Sequence, residues 1–432
     1  MTAAALPAER STGYRYLVVT ILMVVYTFNF LDRQILSILA EPIRKDLGLS
    51  DTQLGVLTGL AFAVFYTGFG IPVAWLADRA NRVRIIAAAC AIWSLFSAAC
   101  GMAGNFAQLL ICRIGVGVGE AGGSPPSYSL ISDYFPPQHR GKGLAIYSLG
   151  VPFGSMVGSA AGGWIAANYG WRTAFYAVGL PGLLLALVLL LVVREPKRGA
   201  LDALSEGQTA HAPTPPLAEA VARFFRDRTL VITALSSGLS AFVGYAVLTW
   251  APPFLMRVKG MSLEEVALYY SLVLGITGAI GTFGAGYLVD RLSRANPRWY
   301  AFVPAIAFAL SIPCFIGFLV APSWQLALLF FLGPALLNNV YLAPALAVVQ
   351  NAAPPAMRTV SGAILLFVLN IIGLGGGPVF VGLISDRAAA DFGERSLQIG
   401  LAALTPVIVV TIAAHYLASR AIGRDRRAAA EA

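Results

Sequence analysis

Four charged side chains stand inside apolar runs of this chain. Asp32 and Arg33 lie side by side in "YLVVTILMVVYTFNFLDRQILSIL", and Arg113 and Glu120 lie in "LLICRIGVGVGEAGG". A formal charge at a bilayer centre costs about 2.5–3.5 kcal/mol even on the lenient insertion scale. Two acids and two bases in such places point to binding of a charged group and to proton exchange. A neutral staple between two helices is the rival reading, but a buried ion pair adds little stability once desolvation is counted. Asn29, Asp32 and Arg33 fall at i, i+3 and i+4, and Arg113, Gly117 and Glu120 at i, i+4 and i+7. Each set therefore shares one helix face. At 1.5 Å per residue, Asp32 and Arg113 stand at similar depths, each about 10 Å from one end of its run, with Glu120 about 10 Å deeper. The spacing suggests an Asp32–Arg113 pair, with Glu120 open to Arg33 or Arg113. Asp32 and Glu120 are expected to carry protons, with Arg33, Arg113 and Asn29 contacting substrate.

Other chemistries find no support. The three histidines are scattered: His139 in a loop, His211 in a polar segment, and His415 alone on an apolar helix, where a satisfied core residue is the plainer reading. Cys90, Cys100, Cys112 and Cys314 show no paired spacing and read as small core residues. No metal site, cofactor or catalytic constellation is expected, and no Lys-bearing phosphate loop is present.

The elements that must position these charges are membrane helices. Of 432 residues, 58% are hydrophobic and only 12% charged, against roughly 25% charged in soluble chains. The mean hydropathy is +0.74. Twelve spans are expected, at 16–39, 54–77, 84–104, 107–133, 142–168, 173–193, 229–255, 262–289, 299–320, 323–351, 359–385 and 396–419. No cleavable leader is expected. The reading is all-α: a six-span half over 1–193, a linker over 194–228, and a second six-span half over 229–432. Within the linker, "APTPP" reads as extended spacer. Leu217, Val221, Phe224 and Phe225 read as the apolar face of a helix lying on the membrane. Loops on the side of both termini hold 21 Lys and Arg, and the opposite loops hold 7. That bias predicts cytoplasmic termini. The net charge of +9 accordingly points to membrane lipid surfaces, with no nucleic-acid partner.

The two halves repeat. "AWLADRANRVR" (74–84) follows the second span and "GYLVDRLSRAN" (286–296) the eighth, so Asp78 and Asp290 match; "GLISDR" (382–387) follows the eleventh. This chain resembles the major facilitator superfamily, whose loop signature is Gly-x-x-x-Asp-Arg-x-Gly-Arg-Arg/Lys. Ala74 and Asn81 replace the two glycines. The resemblance implies a pair of six-helix bundles with alternating access, and a cytoplasmic gate using Asp78, Arg79, Arg140, Asp290 and Arg291. Over about residues 25–165, "RIGVGVGEAGGSPPSYSLISDYFPPQHRGKGLAIYSLGVPFGSMVG" with Asn29, Asp32 and Arg33 resembles the spinster group. That implies a lysophospholipid-like or sphingolipid-like substrate moved by a proton gradient. The glycines at 150, 154, 158, 162 and 163 suit close approach of a second helix. Pro125 and Pro126 suit a kink below Glu120.

Away from their ends, the last six spans carry no formal charge and offer rings and amides: Tyr245, Trp250, Asn338, Asn339 and Asn370 among them. A lopsided cavity suits a small amphipathic molecule with a charged head. The expected function is a proton-coupled secondary transporter, acting as a monomer. The alternative is a proton-coupled symporter of small organic anions, and the rival outside transport is a membrane-embedded lipid-modifying enzyme.

Overall fold

The computed structural model describes residues 11–198, 216–354 and 357–431; Ala210 and most of "APTPP" lie outside the described residues. Among the described residues every regular element is helical. The spanning rods are α1 (Thr12–Leu47), α2 (Asp51–Ala77), α3 (Arg82–Cys100), α4 (Phe106–Glu120 with Ser124–Tyr134), α5 (Arg140–Tyr169) and α6 (Trp171–Val192). They continue with α7 (Arg228–Arg257), α8 (Leu263–Ser293), α9 (Trp299–Val320) and α10 (Trp324–Ala352). The last are α11 (Arg358–Val368, Leu369–Gly376 and Gly377–Phe392) and α12 (Ser396–Ala402 with Leu404–Glu431). The twelve expected spans are all present as helix.

The rods form two compact units. One comprises α1 as far as Pro42 and the chain from Val64 through α6. The other comprises Ile43–Ala63 and the chain from Leu217–Arg226 through α12.

In the first unit glycines set the packing. The α5 stripe receives α1: a Cβ on Gly150 would come within 2.8 Å of Met23 O, on Gly154 within 2.4 Å of Thr27 O, and on Gly158 within 2.8 Å of Leu31 Cα. Backbone contact this close admits no methyl group, so α1, with its two charges, is keyed to α5. Across the unit, Gly115 packs on the Phe96 ring, Gly119 on the Trp93 backbone and Gly179 on Ser94 and Ala98. These contacts hold α3 between α4 and α6. The kink below Glu120 is a full interruption over 121–123. Ser124 then restarts the helix with prolines in its first turn, where their missing N–H groups and fixed φ do no harm.

The repeat extends to helix starts. Ser50 opens α2 with a capping box closed by Gln53, and Ser262 opens α8 with one closed by Glu265. Each box leads into a π-helical turn, Val56–Leu60 and Val266–Tyr270. In the second unit the start of α2 lies backbone-on-backbone along α11. A Cβ on Gly55 would meet Pro378 O at 2.6 Å, and one on Gly59 would meet Leu374 O at 2.4 Å. The glycine-rich run of α11 forms a longer π-helical stretch, Leu369–Gly376.

The linker helix Leu217–Arg226 has one flank docked on its own unit. Ala220 and Phe224 are buried, while Phe225 is 57% exposed. The helix packs on the start of α11 and on α7, and this docking takes Phe224 inward. A helix with one docked flank cannot press both adjacent rings to the same side.

Candidate functional site

The charged cluster assembles from α1, α3 and α4 of the first unit. Asn29, Asp32, Arg113 and Glu120 are each at most 3% exposed. Arg33 Nε bonds Glu120 Oε2 at 2.6 Å, with the Arg33 side chain 17% exposed and that of Glu120 fully buried. The Arg33 guanidinium also lies 5.0 Å from the Phe30 ring centre and 4.8 Å from that of Tyr66, where the ring faces attract cations. Asp32 accepts a short hydrogen bond from Ser97 Oγ of α3. Arg113 is within electrostatic reach of both acids. Arg33 thus takes Glu120, and Ser97 is one partner of Asp32. Depth along a helix sets level but not azimuth, and the keyed α1–α5 contact turns Asp32 toward α3.

Two buried acceptors in this cluster have no donor at hydrogen-bonding geometry, Glu120 Oε1 and Asn29 Oδ1, although the Asn29 side chain stands beside Glu120. A buried acceptor without a donor costs about 1–3 kcal/mol. Glu120 Oε1 therefore has room to accept a further hydrogen bond.

In the second unit, Trp250 is fully buried and its indole N–H donates to Pro378 O at 2.9 Å. That leaves the ring a packing element between α7 and α11. Asn338 is buried with Oδ1 lacking a donor, and Asn339 Nδ2 donates to Ala335 O of its own helix at 3.2 Å. Tyr245 and Asn370 are half-buried.

Asp78 and Arg79 are exposed. Arg79 folds back over the Trp75 ring at 4.1 Å and donates to Trp75 O. Asp290 and Arg291 are exposed at the end of α8. Arg140 donates to Ser132 O and Phe135 O, closing the turn between α4 and α5. On this side the strongest cluster is one that sequence reasoning missed. Arg82 is buried and bonds Asp133 at 2.5 Å, Glu195 at 2.6 Å and Ser129 at 2.8 Å. The side chain of Arg198 donates to the carbonyls of Ala77, Asp78 and Ala80 that end α2. The signal was the "REPKR" run after the sixth span, which places both Glu195 and Arg198.

A second missed cluster sits at the start of α2, in the second unit. Arg257 clasps Asp51 with two bonds of 2.7 and 2.8 Å, and Ser385 Oγ donates to Asp51 at 2.6 Å. Asp386 accepts from the N–H groups of Asp51 and Thr52 at 2.9 and 2.8 Å, capping α2. A recess of about 160 Å³ opens here, lined by Arg44, Ser50, Arg257 and Ser396 among others. In the "GLISDR" copy of the repeat, Asp386 thus serves as the cap of α2.

Comparison with known proteins agrees with this architecture. The family model described as Major Facilitator Superfamily matches residues 22–378. The chain is 33% identical to an MFS-type efflux pump of Mycolicibacterium smegmatis, over 94% of this chain and 93% of that one. It is 28% identical to the hexuronate transporter of Bacillus subtilis, over 91% and 93%. Among solved structures it is similar to a bacterial homologue of the human lysosomal transporter spinster, in an inward-facing, unoccupied conformation. The TM-score is 0.86 at 32% identity, covering 96% of this chain and 99% of that one. The relatives are transporters, which sets aside the lipid-modifying enzyme. This multi-pass integral membrane protein belongs to the major facilitator superfamily and resembles its spinster group.

Proposed function

We propose that this transporter couples protons to the movement of an amphipathic substrate with a phosphate-bearing or zwitterionic head, of the lysophospholipid or sphingolipid kind. The observation that carries the reading is the buried Arg33–Glu120 pair with Glu120 Oε1 left open. A proton on Glu120 turns a neutral pair into a net cation. Arg33 then gains affinity for an anionic head, and by linkage a bound head changes the affinity for the proton. Guanidinium forks match phosphate geometry, which suits Arg33 and Arg113 to the head. The uncharged later spans, with Tyr245, Asn338, Asn339 and Asn370, suit an apolar chain. Asp32 is the second proton-carrying acid, and Asp78, Arg79, Arg140, Asp290 and Arg291 serve the inner gate. Sequence similarity to a hexuronate transporter supports the alternative of small organic anions.

Binding of a chain-length series to the purified protein separates the two. Each added CH₂ is worth roughly 0.8 kcal/mol when buried, so the amphiphile reading expects Kd to fall about fourfold per carbon until the pocket is filled. Arg113→Ala should erase discrimination between head groups. Tight binding of uronates, with no gain from added carbons, would establish the anion alternative instead.

Both termini are proposed to face the cytoplasm, from the distribution of Lys and Arg. Cysteines introduced singly at Ala210 and Ala390, with the native ones replaced, test this by an impermeant thiol label on intact cells. Ala390 is expected to react and Ala210 to stay protected; the reverse pattern would invert the topology.

A further inference from the structure

The two buried acids differ in what faces them. Glu120 meets Arg33, and a guanidinium carries donors only. Asp32 meets a serine: Ser97 Oγ donates to its Oδ1, and both residues are buried. Backbone contacts fix the two ends of this bond. Phe96, before Ser97, lies on Gly115 of α4. Ala98, after it, lies on Gly179 of α6, where a Cβ would come within 2.5 Å of Ala98 N. Leu31, before Asp32, is set against Gly158 of α5. Ser97 is thus held toward α1 between locked neighbours, and its hydroxyl is what can still turn. Ionisable groups within electrostatic reach of Asp32 are Arg113 and Glu120 of α4 and Cys90 and Cys100 of α3. Arg33 follows it on α1, while α5 meets α1 and α6 meets α3 through glycines.

An acid that exchanges a proton inside an apolar unit needs a partner for both of its charge states. An ionised carboxylate only accepts hydrogen bonds, and a protonated one also donates. A hydroxyl answers both, because it donates one proton and accepts at its lone pairs. Alanine would fill nearly the same space, so packing does not call for the hydroxyl. We propose that Ser97 is a positioning residue for proton exchange on Asp32. With Asp32 ionised, Ser97 Oγ donates to Oδ1. When a hydronium ion delivers a proton to Oδ1, an O–H bond forms there, one breaks in the hydronium and a water leaves. The new O–H donates to Ser97 Oγ. The serine proton then swings to a carbonyl of its own helix, as the hydroxyls of Thr27 and Ser127 already bond carbonyls four residues back. Ser97 itself neither gains nor loses a proton. Asp32 changes charge and keeps its partner in each state. This role rests on the proton-coupled reading above.

The test is the pH profile of isotope counterflow in proteoliposomes, from about pH 5 to about pH 9. The probe is radiolabelled lysophosphatidate, or glucuronate if the binding series above selects uronates, and an enclosed pH dye reports proton flux driven by a substrate gradient. Ser97→Ala removes a hydrogen bond that is stronger to the ionised acid than to the neutral one. The midpoint of the profile is therefore expected to move up by about one pH unit, a roughly tenfold gain in proton affinity. Substrate Kd, read below both midpoints, should stay within about twofold of wild type. Ser97→Cys keeps the size with a weak donor and acceptor, so its midpoint should move less. In an Asp32→Asn background, Ser97→Ala should leave the profile where it was. An unmoved midpoint in Ser97→Ala overturns the role of Ser97, as does a wild-type profile that is flat over this range. So does an equal shift with Asp32→Asn present, which would make the serine a packing element of α3. A wild-type protein that exchanges substrate but moves no protons overturns coupling and this role together; proton flux with an unmoved Ser97→Ala midpoint overturns this role alone.

Discussion

Glu120→Gln is expected to abolish uphill accumulation of substrate under a pH gradient while counterflow continues. The amide keeps the size of the carboxylate and can still accept from Arg33 Nε, now at 2.6 Å from Glu120 Oε2. It cannot take up or release a proton. What changes is the charge of the pair, from neutral to permanently cationic, so the substrate head meets the same field in every state. Coupling needs a difference in proton affinity between conformations, because a ligand shifts an equilibrium only by its differential affinity. Breaking a fully buried ion pair costs 3–5 kcal/mol; Arg33 is 17% exposed and flanked by two rings, so the loss here is smaller and the fold persists. Asp32→Asn should act alike, with Ser97 Oγ donating to the new amide oxygen. The measurement is substrate accumulation by proteoliposomes with an imposed pH gradient, beside counterflow without one. If both variants still concentrate substrate, neither acid carries the coupled proton.

The positions of these four charges were legible because each is costly in an apolar helix, and cost is visible in one dimension. The serine partner of Asp32 was not. Ser97 looks like any small residue near the end of α3, and it becomes the ligand of Asp32 only through the rotation that the α5 glycines impose on α1. The stripe Gly150–Gly154–Gly158–Gly162 announced a close helix but not which one. The spans and the repeat were readable from hydropathy and from Asp78 matching Asp290. The capping boxes at Ser50 and Ser262 extend that repeat into geometry. Charges at helix ends misled in the opposite way. Asp51, Arg82, Glu195 and Arg257 fall just outside the apolar runs, and nothing in a sequence separates an end that meets water from one covered by another helix.

Arg257→Ala is expected to shift the balance between conformations by about a hundredfold or more. Asp51 and Arg257 have side chains each only 5% exposed. Removing the arginine leaves Asp51 buried with Ser385 Oγ as its remaining side-chain donor. Breaking one partner of such a pair costs about 3–5 kcal/mol. The clasp is expected to close in one state of the transport cycle and to open in the other. The lost energy therefore counts only in the state where the clasp exists, and 3 kcal/mol is about a 150-fold change in a two-state ratio. The backbone contacts of Gly55, Gly59 and Gly382 with this region remain, as does the Asp386 cap on α2. They keep the closed state accessible and the fold intact. A cysteine in place of Ser396, which lines the recess and is 3% exposed, reports opening by its rate of reaction with an impermeant thiol reagent. In the Arg257→Ala background that rate should rise by about the same factor, provided opening precedes reaction. Arg257→Lys keeps the charge but loses the two-pronged geometry, so its rate should fall between the two. An unchanged rate in Arg257→Ala, in protein that still binds substrate, would show that Asp51 and Arg257 are a fold contact and not a latch on alternating access.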